Sequence, residues 1–187
     1  MRCESGHCGE AESRLIVVVP YTRRPAWGWR ESRGVPWPVH YVDVSGGEDA
    51  YWRLLASLWS RGGDFLVVEH DVVPTVEALR DLVDCPKRWC AQPYPYVGGV
   101  QHGLACTKFT AAAIKAVPDL WTVVAGMSDH LHGPKHWCRL DGWSNRVLTS
   151  RGVIRCDHHV EVWHEHAVTS HGCEILHAGA QPLVGAH

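Results

Sequence analysis

Glu69, His70 and Asp71 put two carboxylates and an imidazole directly after the apolar run FLVV at 65–68, and VVP follows them. If a strand continues through the three, side chains alternate, so Glu69 and Asp71 share one face and His70 takes the other. Like charges on one face repel unless a cation or a donor lies between them, and a hard divalent ion is the natural neutraliser. The plainer alternative is that one carboxylate caps the next helix while the other is solvated. A second group of titratable residues lies in CDHHVEVWHEH at 156–166. Strand alternation there places Cys156, His158, Val160, Val162, His164 and His166 on one side. The His-x-His pair, His164 and His166, offers imidazole to a metal, and its alternative is ordinary polar surface on an edge strand. Taken with the carboxylates, these histidines make a mixed carboxylate–imidazole metal site an expectation.

The surrounding segments must bring those residues together. RLIVVVP at 14–20 is a continuous apolar run, as in a strand covered on both faces, and VHYVDVS at 39–45 reads as a second strand. In EDAYWRLLASLWSRGG, Tyr51, Trp52, Leu54, Leu55, Leu58 and Trp59 recur at helical spacing; Glu48 and Asp49 are expected in the first turn, with Gly62 and Gly63 as the stop. FLVVEHDVV is a third strand, and Thr75 is placed to cap a helix VEALRDLVD that ends before Cys85 and Pro86. This alternation of strand and helix predicts parallel strands with helical crossovers. Residues 89–103 are too rich in Pro and Gly for a helix, although their start reads as a strand. The spacing predicts a helix over 107–117, a loop over 123–137, a short helix over 141–152 that opens on Asp141, and one last strand over 153–166. The domain is expected to span 14–166, with a flexible tail at 1–13 and a C-terminal tail at 167–187.

Composition narrows the function classes. The chain has 187 residues, 45% hydrophobic and 20% charged, with a net charge of −2, so it carries no global basic field for nucleic acid. A local one exists around Arg23, Arg24, Arg30 and Arg33, interleaved with Trp27, Trp29 and Trp37, where phosphates and bases could be gripped. No apolar run reaches the roughly 18 residues of a membrane span, and the first residues lack a signal peptide's apolar core, so a cytoplasmic protein is expected. Eight cysteines without an export signal read as reduced thiols. Cys3 and Cys8 with His7, or Cys85 with Cys90, form partial metal clips that lack C-x2-C spacing and a matching partner.

In their order, these features resemble a small, phage-like, nucleotide-sugar-dependent glycosyltransferase of the GT-A type. VVVPYTRR at 17–24 resembles the first-strand nucleotide-binding turn, and Glu69-His70-Asp71 is a variant of the family's acidic D-x-D motif. GLACTKFTAAAIKAVPDL at 103–120 resembles the stretch leading into the acceptor-side helix. Asp141, Arg146, Val147, Leu148 and Gly152 follow the pattern of an acidic residue opening a helix that continues with Arg and ends in Gly. The resemblance covers about residues 14–166; it departs in having Glu first in the acidic motif and a single acid at 141.

The resemblance implies a Rossmann-like α/β fold with a mostly parallel sheet flanked by helices. It implies a divalent ion, Mn²⁺ or Mg²⁺, on Asp71 with His164 or His166, with Glu69 acting through water or on the ribose. Pro20, Tyr21, Thr22, Arg24, Glu69, His70 and Asp71 would hold the donor, a UDP-sugar, and Asp141 would be the general base of an inverting transfer. The acceptor would be a hydroxyl on a protein, a glycan or a hydroxymethylated DNA base. Two other classes fit the residues: a metal-dependent hydrolase or nuclease using the same acidic and histidine residues, and a non-catalytic, zinc-stabilised binding module.

Overall fold

The computed structural model describes residues 15–23, 34–96, 99–160, 162–164, 167–168 and 175–176. The elements in chain order are β1 (Ile16–Tyr21), β2 (Val39–Asp43), α1 (Ala50–Arg61), β3 (Phe65–Val68), β4 (Val72–Val73), α2 (Val76–Asp84), β5 (Trp89–Tyr96) and β6 (Gly99–Phe109). They are followed by α3 (Ala111–Ala116), α4 (Leu120–Ala125), a 3-10 turn at Trp137–Arg139, α5 (Leu140–Ser150), β7 (Cys156–Asp157), β8 (Trp163–His164), β9 (Ala167–Val168) and β10 (Ile175–Leu176).

Six strands form one sheet in the order β2-β1-β3-β6-β5-β7. The β1–β2, β1–β3 and β5–β7 ladders are parallel, and β6 runs antiparallel to both its neighbours. The expected α/β fold with a mostly parallel, helix-flanked sheet is therefore present. Period-two alternation explains why the runs in β1 and β3 are apolar throughout. Val18, Phe65 and Val67 pack with α1, α3, α4 and α5, whereas Val17, Val19, Leu66 and Val68 pack with α2. Trp59 of α1 sits edge-on to Phe109 at 5.4 Å and donates its indole N–H to the Val117 carbonyl at 2.9 Å, fixing the helix layer to the sheet.

Several local expectations hold in physical detail. Thr75 Oγ1 accepts from the Ala78 N–H at 3.0 Å, capping α2. Gly62 ends α1 in the left-handed region at φ 75°. Asp49 stands at the N-cap of α1 rather than inside its first turn and pairs with Arg53.

Other expectations are corrected. Residues 107–109 finish β6, and the helix begins only at Ala111, because Thr107 and Lys108 are needed as strand partners of β3. The segment beginning at 89 is a hairpin: Pro93 and Pro95 are tolerated because the β5–β6 register shifts between Ala91 and Pro93. Val123–Ala125 belong to α4, and a 3-10 turn precedes α5, so 123–137 is only partly loop. Residues 153–166 are not one strand; β7 joins the main sheet beside β5, and β8 leaves it to pair with β4. One alternation therefore does not govern the histidines of that segment.

Candidate active site

The two adjacent parallel strands β1 and β3 end at the same edge of the sheet, the edge where open α/β folds place ligands. Pro20 is buried at this end of β1, beyond the last β1–β3 register pair, Val18 with Val67. Val17 donates towards the β2 side, so the next residue but two, Pro20, faces β3, where its missing N–H ends the ladder and lets the two strand ends part. Tyr21 is half-buried and Thr22 exposed at the same edge. Arg24 lies outside the described residues.

β3 stops at Val68, and Glu69-His70-Asp71 form a turn closed by the Val72 N–H on the Glu69 carbonyl at 3.0 Å. The strand alternation expected to separate His70 from the carboxylates therefore does not apply here. Glu69 is half-buried near the Tyr51 phenol, whose hydroxyl is buried without a hydrogen bond. Burial, then the charges of Asp141 and Asp71, hold the Glu69 carboxyl well above the ordinary carboxylate range, against a lowering contact from Tyr51. His70 is half-buried in the turn between the two acids.

Asp71 is buried, and β4 turns it towards a residue from the far end of the domain. In the antiparallel β4–β8 ladder Val72 is paired with His164. That pairing sets His164 Nε2 at 3.4 Å from Asp71 Oδ2. The opposite atoms of the two side chains, Asp71 Oδ1 and His164 Nδ1, are buried without a hydrogen bond. Tyr94 of β5 stacks on the His164 ring at 5.3 Å between centroids and 24° between planes. His166, the second member of the His-x-His pair, lies outside the described residues.

Asp141 reaches the same place from the first turn of α5. The Leu104 backbone N–H donates to its Oδ1 at 2.8 Å, and the Tyr94 hydroxyl approaches Oδ2 at 3.5 Å. Burial raises its pKa, opposed by the Leu104 N–H, the positive charge of Arg155 and the Tyr94 contact. Gly103 makes this seat possible: a Cβ there would stand 2.4 Å from Asp141 Oδ2 and 2.9 Å from the Tyr94 hydroxyl oxygen. Burial and the neighbouring carboxylates push both phenols, Tyr51 and Tyr94, above their ordinary range, so both stay protonated donors.

Of the residues singled out from sequence, Glu69, Asp71, Asp141 and His164 thus meet. Tyr51 and Gly103 join them without a sequence signal, because Tyr51 sits on the apolar side of an amphipathic helix and Gly103 inside a Gly-rich run. Trp89 belongs to the core: it stacks on Phe109 and donates to Thr107 Oγ1.

This donor set suits a hard divalent ion. Three carboxylates repel one another, and Asp71 and His164 together present two unbonded buried atoms. Asp71 and His164 would be direct ligands, with Glu69 behind them. Among the described residues, the groups of three whose ligand atoms all lie within 4.8 Å of one another are elsewhere, at Cys85, Cys90 and His158 and at His132, His136 and Cys138.

Fold and site together define an α/β protein with an acidic, histidine-flanked centre at the C-terminal edge of its parallel strands. Among solved structures, A197 from STIV superposes with a TM-score of 0.53 at 9% identity, over 93% of this chain and 99% of that one, a likeness of fold. A glycosyltransferase involved in the glycosylation of the major capsid of PBCV-1 aligns with a TM-score of 0.49 at 10% identity, over 78% of this chain and 82% of that one. No family model and no curated protein matches the chain. Among the described residues no helix is long and apolar enough to cross a membrane.

Proposed function

We propose that the protein is a metal-dependent glycosyltransferase that moves a sugar from a nucleoside diphosphate to an acceptor hydroxyl. The observation that carries the reading is the meeting of Glu69, Asp71, Asp141 and His164 at one edge of the sheet, next to the Pro20–Thr22 strand end. The resemblance of the motifs holding these residues to the GT-A type supports the same reading.

When bound, a divalent ion such as Mn²⁺ or Mg²⁺ supplies Lewis-acid stabilisation to the departing diphosphate. Asp71 and His164 would hold it, with His166 as a further ligand. Glu69 would act on the ribose or through water. Pro20, Tyr21 and Thr22, with Arg24 and His70, line the donor's nucleoside and phosphates. Asp141 takes the acceptor proton while the acceptor oxygen bonds to the sugar's anomeric carbon, and the breaking C–O bond leaves its electron pair on the diphosphate. Its carboxylate is raised in pKa yet oriented by the Leu104 N–H, which suits a base that must both ionise and hold still.

Calorimetric titration with nucleoside diphosphates, with and without Mn²⁺, tests the reading. Saturable binding that is strengthened by Mn²⁺, and no longer so in Asp71→Ala, is expected; no binding to any nucleoside diphosphate contradicts it.

A further inference from the structure

Away from the acidic centre, at the opposite end of β5, three thiols and an imidazole converge. Cys85 is the C-cap of α2, Cys90 lies in β5, and in the parallel β5–β7 ladder Cys90 is the direct partner of Cys156, so their side chains leave the sheet on the same side. His158 follows β7, its backbone N–H on the Ala91 carbonyl at 3.0 Å. One ligand atom each from Cys85, Cys90 and His158 lie within 4.8 Å of one another. Cys156, the ladder partner of Cys90, neighbours Cys85 but is not one of the three within 4.8 Å. A zinc tetrahedron of thiolates has edges of about 3.8 Å from its roughly 2.3 Å bonds, so small rotamer changes close this group around an ion.

From these positions we infer a structural zinc site formed by the Sγ atoms of Cys85, Cys90 and Cys156 and by Nε2 of His158. Two further observations point to a metal. His158 Nδ1 donates to Asp81 Oδ2 at 2.5 Å, which fixes the tautomer and leaves Nε2 with its lone pair, buried and without a hydrogen bond. Asp81 is in turn held by Gln92 Nε2 at 2.9 Å, completing the carboxylate–histidine arrangement that orients a metal-bound imidazole.

Charge supports the same conclusion. Lys108 is buried, and its ammonium donates to the Cys85 carbonyl at 2.6 Å and the Val83 carbonyl at 3.2 Å. A buried ammonium calls for a nearby anion. Three thiolates, one neutral imidazole and Zn²⁺ sum to a single negative charge beside it. The ion would join α2, β5 and β7, and thereby anchor the segment that runs on to His164.

Metal analysis of the full chain purified under reducing conditions tests the inference. One zinc per chain is expected, with a Co²⁺-substituted protein showing the charge-transfer absorption of thiolate ligands in a tetrahedral field. Cys156→Ser should lose the metal, and Asp81→Asn should bind it roughly 10- to 100-fold more weakly. Asp71→Ala should keep it, which separates this site from the acidic centre. If Cys156→Ser fails to fold, the cobalt spectrum of the unmutated chain decides alone. A metal-free chain, a cobalt spectrum without thiolate bands, a Cys85–Cys156 disulfide, or zinc that survives Cys156→Ser but is lost in His136→Ala would each overturn the inference.

Discussion

Asp71 Oδ2 and His164 Nε2 stand 3.4 Å apart on side chains that are 9% and 4% exposed, held by a two-residue ladder between strands from distant parts of the chain. Asp71 Oδ1 and His164 Nδ1 are each buried without a hydrogen bond, the polar capacity that the proposed ion would draw on. Asp71→Ala should reduce sugar transfer about 10²- to 10³-fold, the scale for losing one electrostatic stabiliser of the departing charge. Initial rates at saturating donor, with Mn²⁺ varied, check this: the variant should lose its metal dependence as well as its rate.

Gly103→Ala tests how tightly Asp141 is placed. The added Cβ would overlap Asp141 Oδ2 and crowd the Tyr94 hydroxyl, and a short aspartate on a helix has little room to withdraw. A displacement near 1 Å costs on the order of 10²-fold in rate. The expected result is a folded protein with donor affinity close to the original and kcat reduced by about that factor.

Asp141→Asn should separate stability from catalysis. Its carboxyl pKa is raised in the folded state, mainly by burial, so the fold binds its proton more tightly than the unfolded chain does. This group's stabilising contribution is therefore complete below the unfolded carboxylate pKa and is lost as pH rises through the raised folded value. An amide keeps an acceptor for the Leu104 N–H without that cost. The variant should melt at a higher temperature than the parent near neutral pH, show no advantage in acid, and be inactive. In the parent, transfer rate should climb with pH through a midpoint above the ordinary aspartate value, because the base must be ionised.

Tyr94 contributes both a ring and a hydroxyl. Tyr94→Phe keeps the stack on His164 and removes only the long contact to Asp141, so a rate loss of a few-fold is expected, in line with roughly 1 kcal/mol for one hydrogen bond. Tyr94→Ala removes both and should also weaken metal binding, measured by Mn²⁺ titration.

Much of this arrangement is legible in the sequence, and the rest is hidden for physical reasons. The uninterrupted runs in β1 and β3 announce strands covered on both faces, and the caps at Thr75 and Gly62 mark helix ends locally. Glu69 and Asp71 attract notice because charge has no reason to follow such a run. The β5–β6 hairpin is only half legible: the start of the segment reads as a strand, but its full length and pairing, with a register shift between Ala91 and Pro93, are set in three dimensions. His158 and His164 occupy one alternating pattern in the sequence but separate places in the fold, because the chain changes sheets between β7 and β8. His158 turns to Asp81 and the thiols, and His164 to Asp71. Spacing identifies residues able to bind metal; tertiary pairing decides which of them share an ion.

Incubating the protein with Mn²⁺ and a panel of nucleotide-sugars, and following nucleoside diphosphate release without an added acceptor, tests the central claim most directly. Slow release from one donor class is expected, dependent on the metal and reduced about 10²- to 10³-fold in Asp71→Ala. Absence of release and of binding for every nucleotide-sugar, in a chain that is folded and metal-loaded, would contradict it.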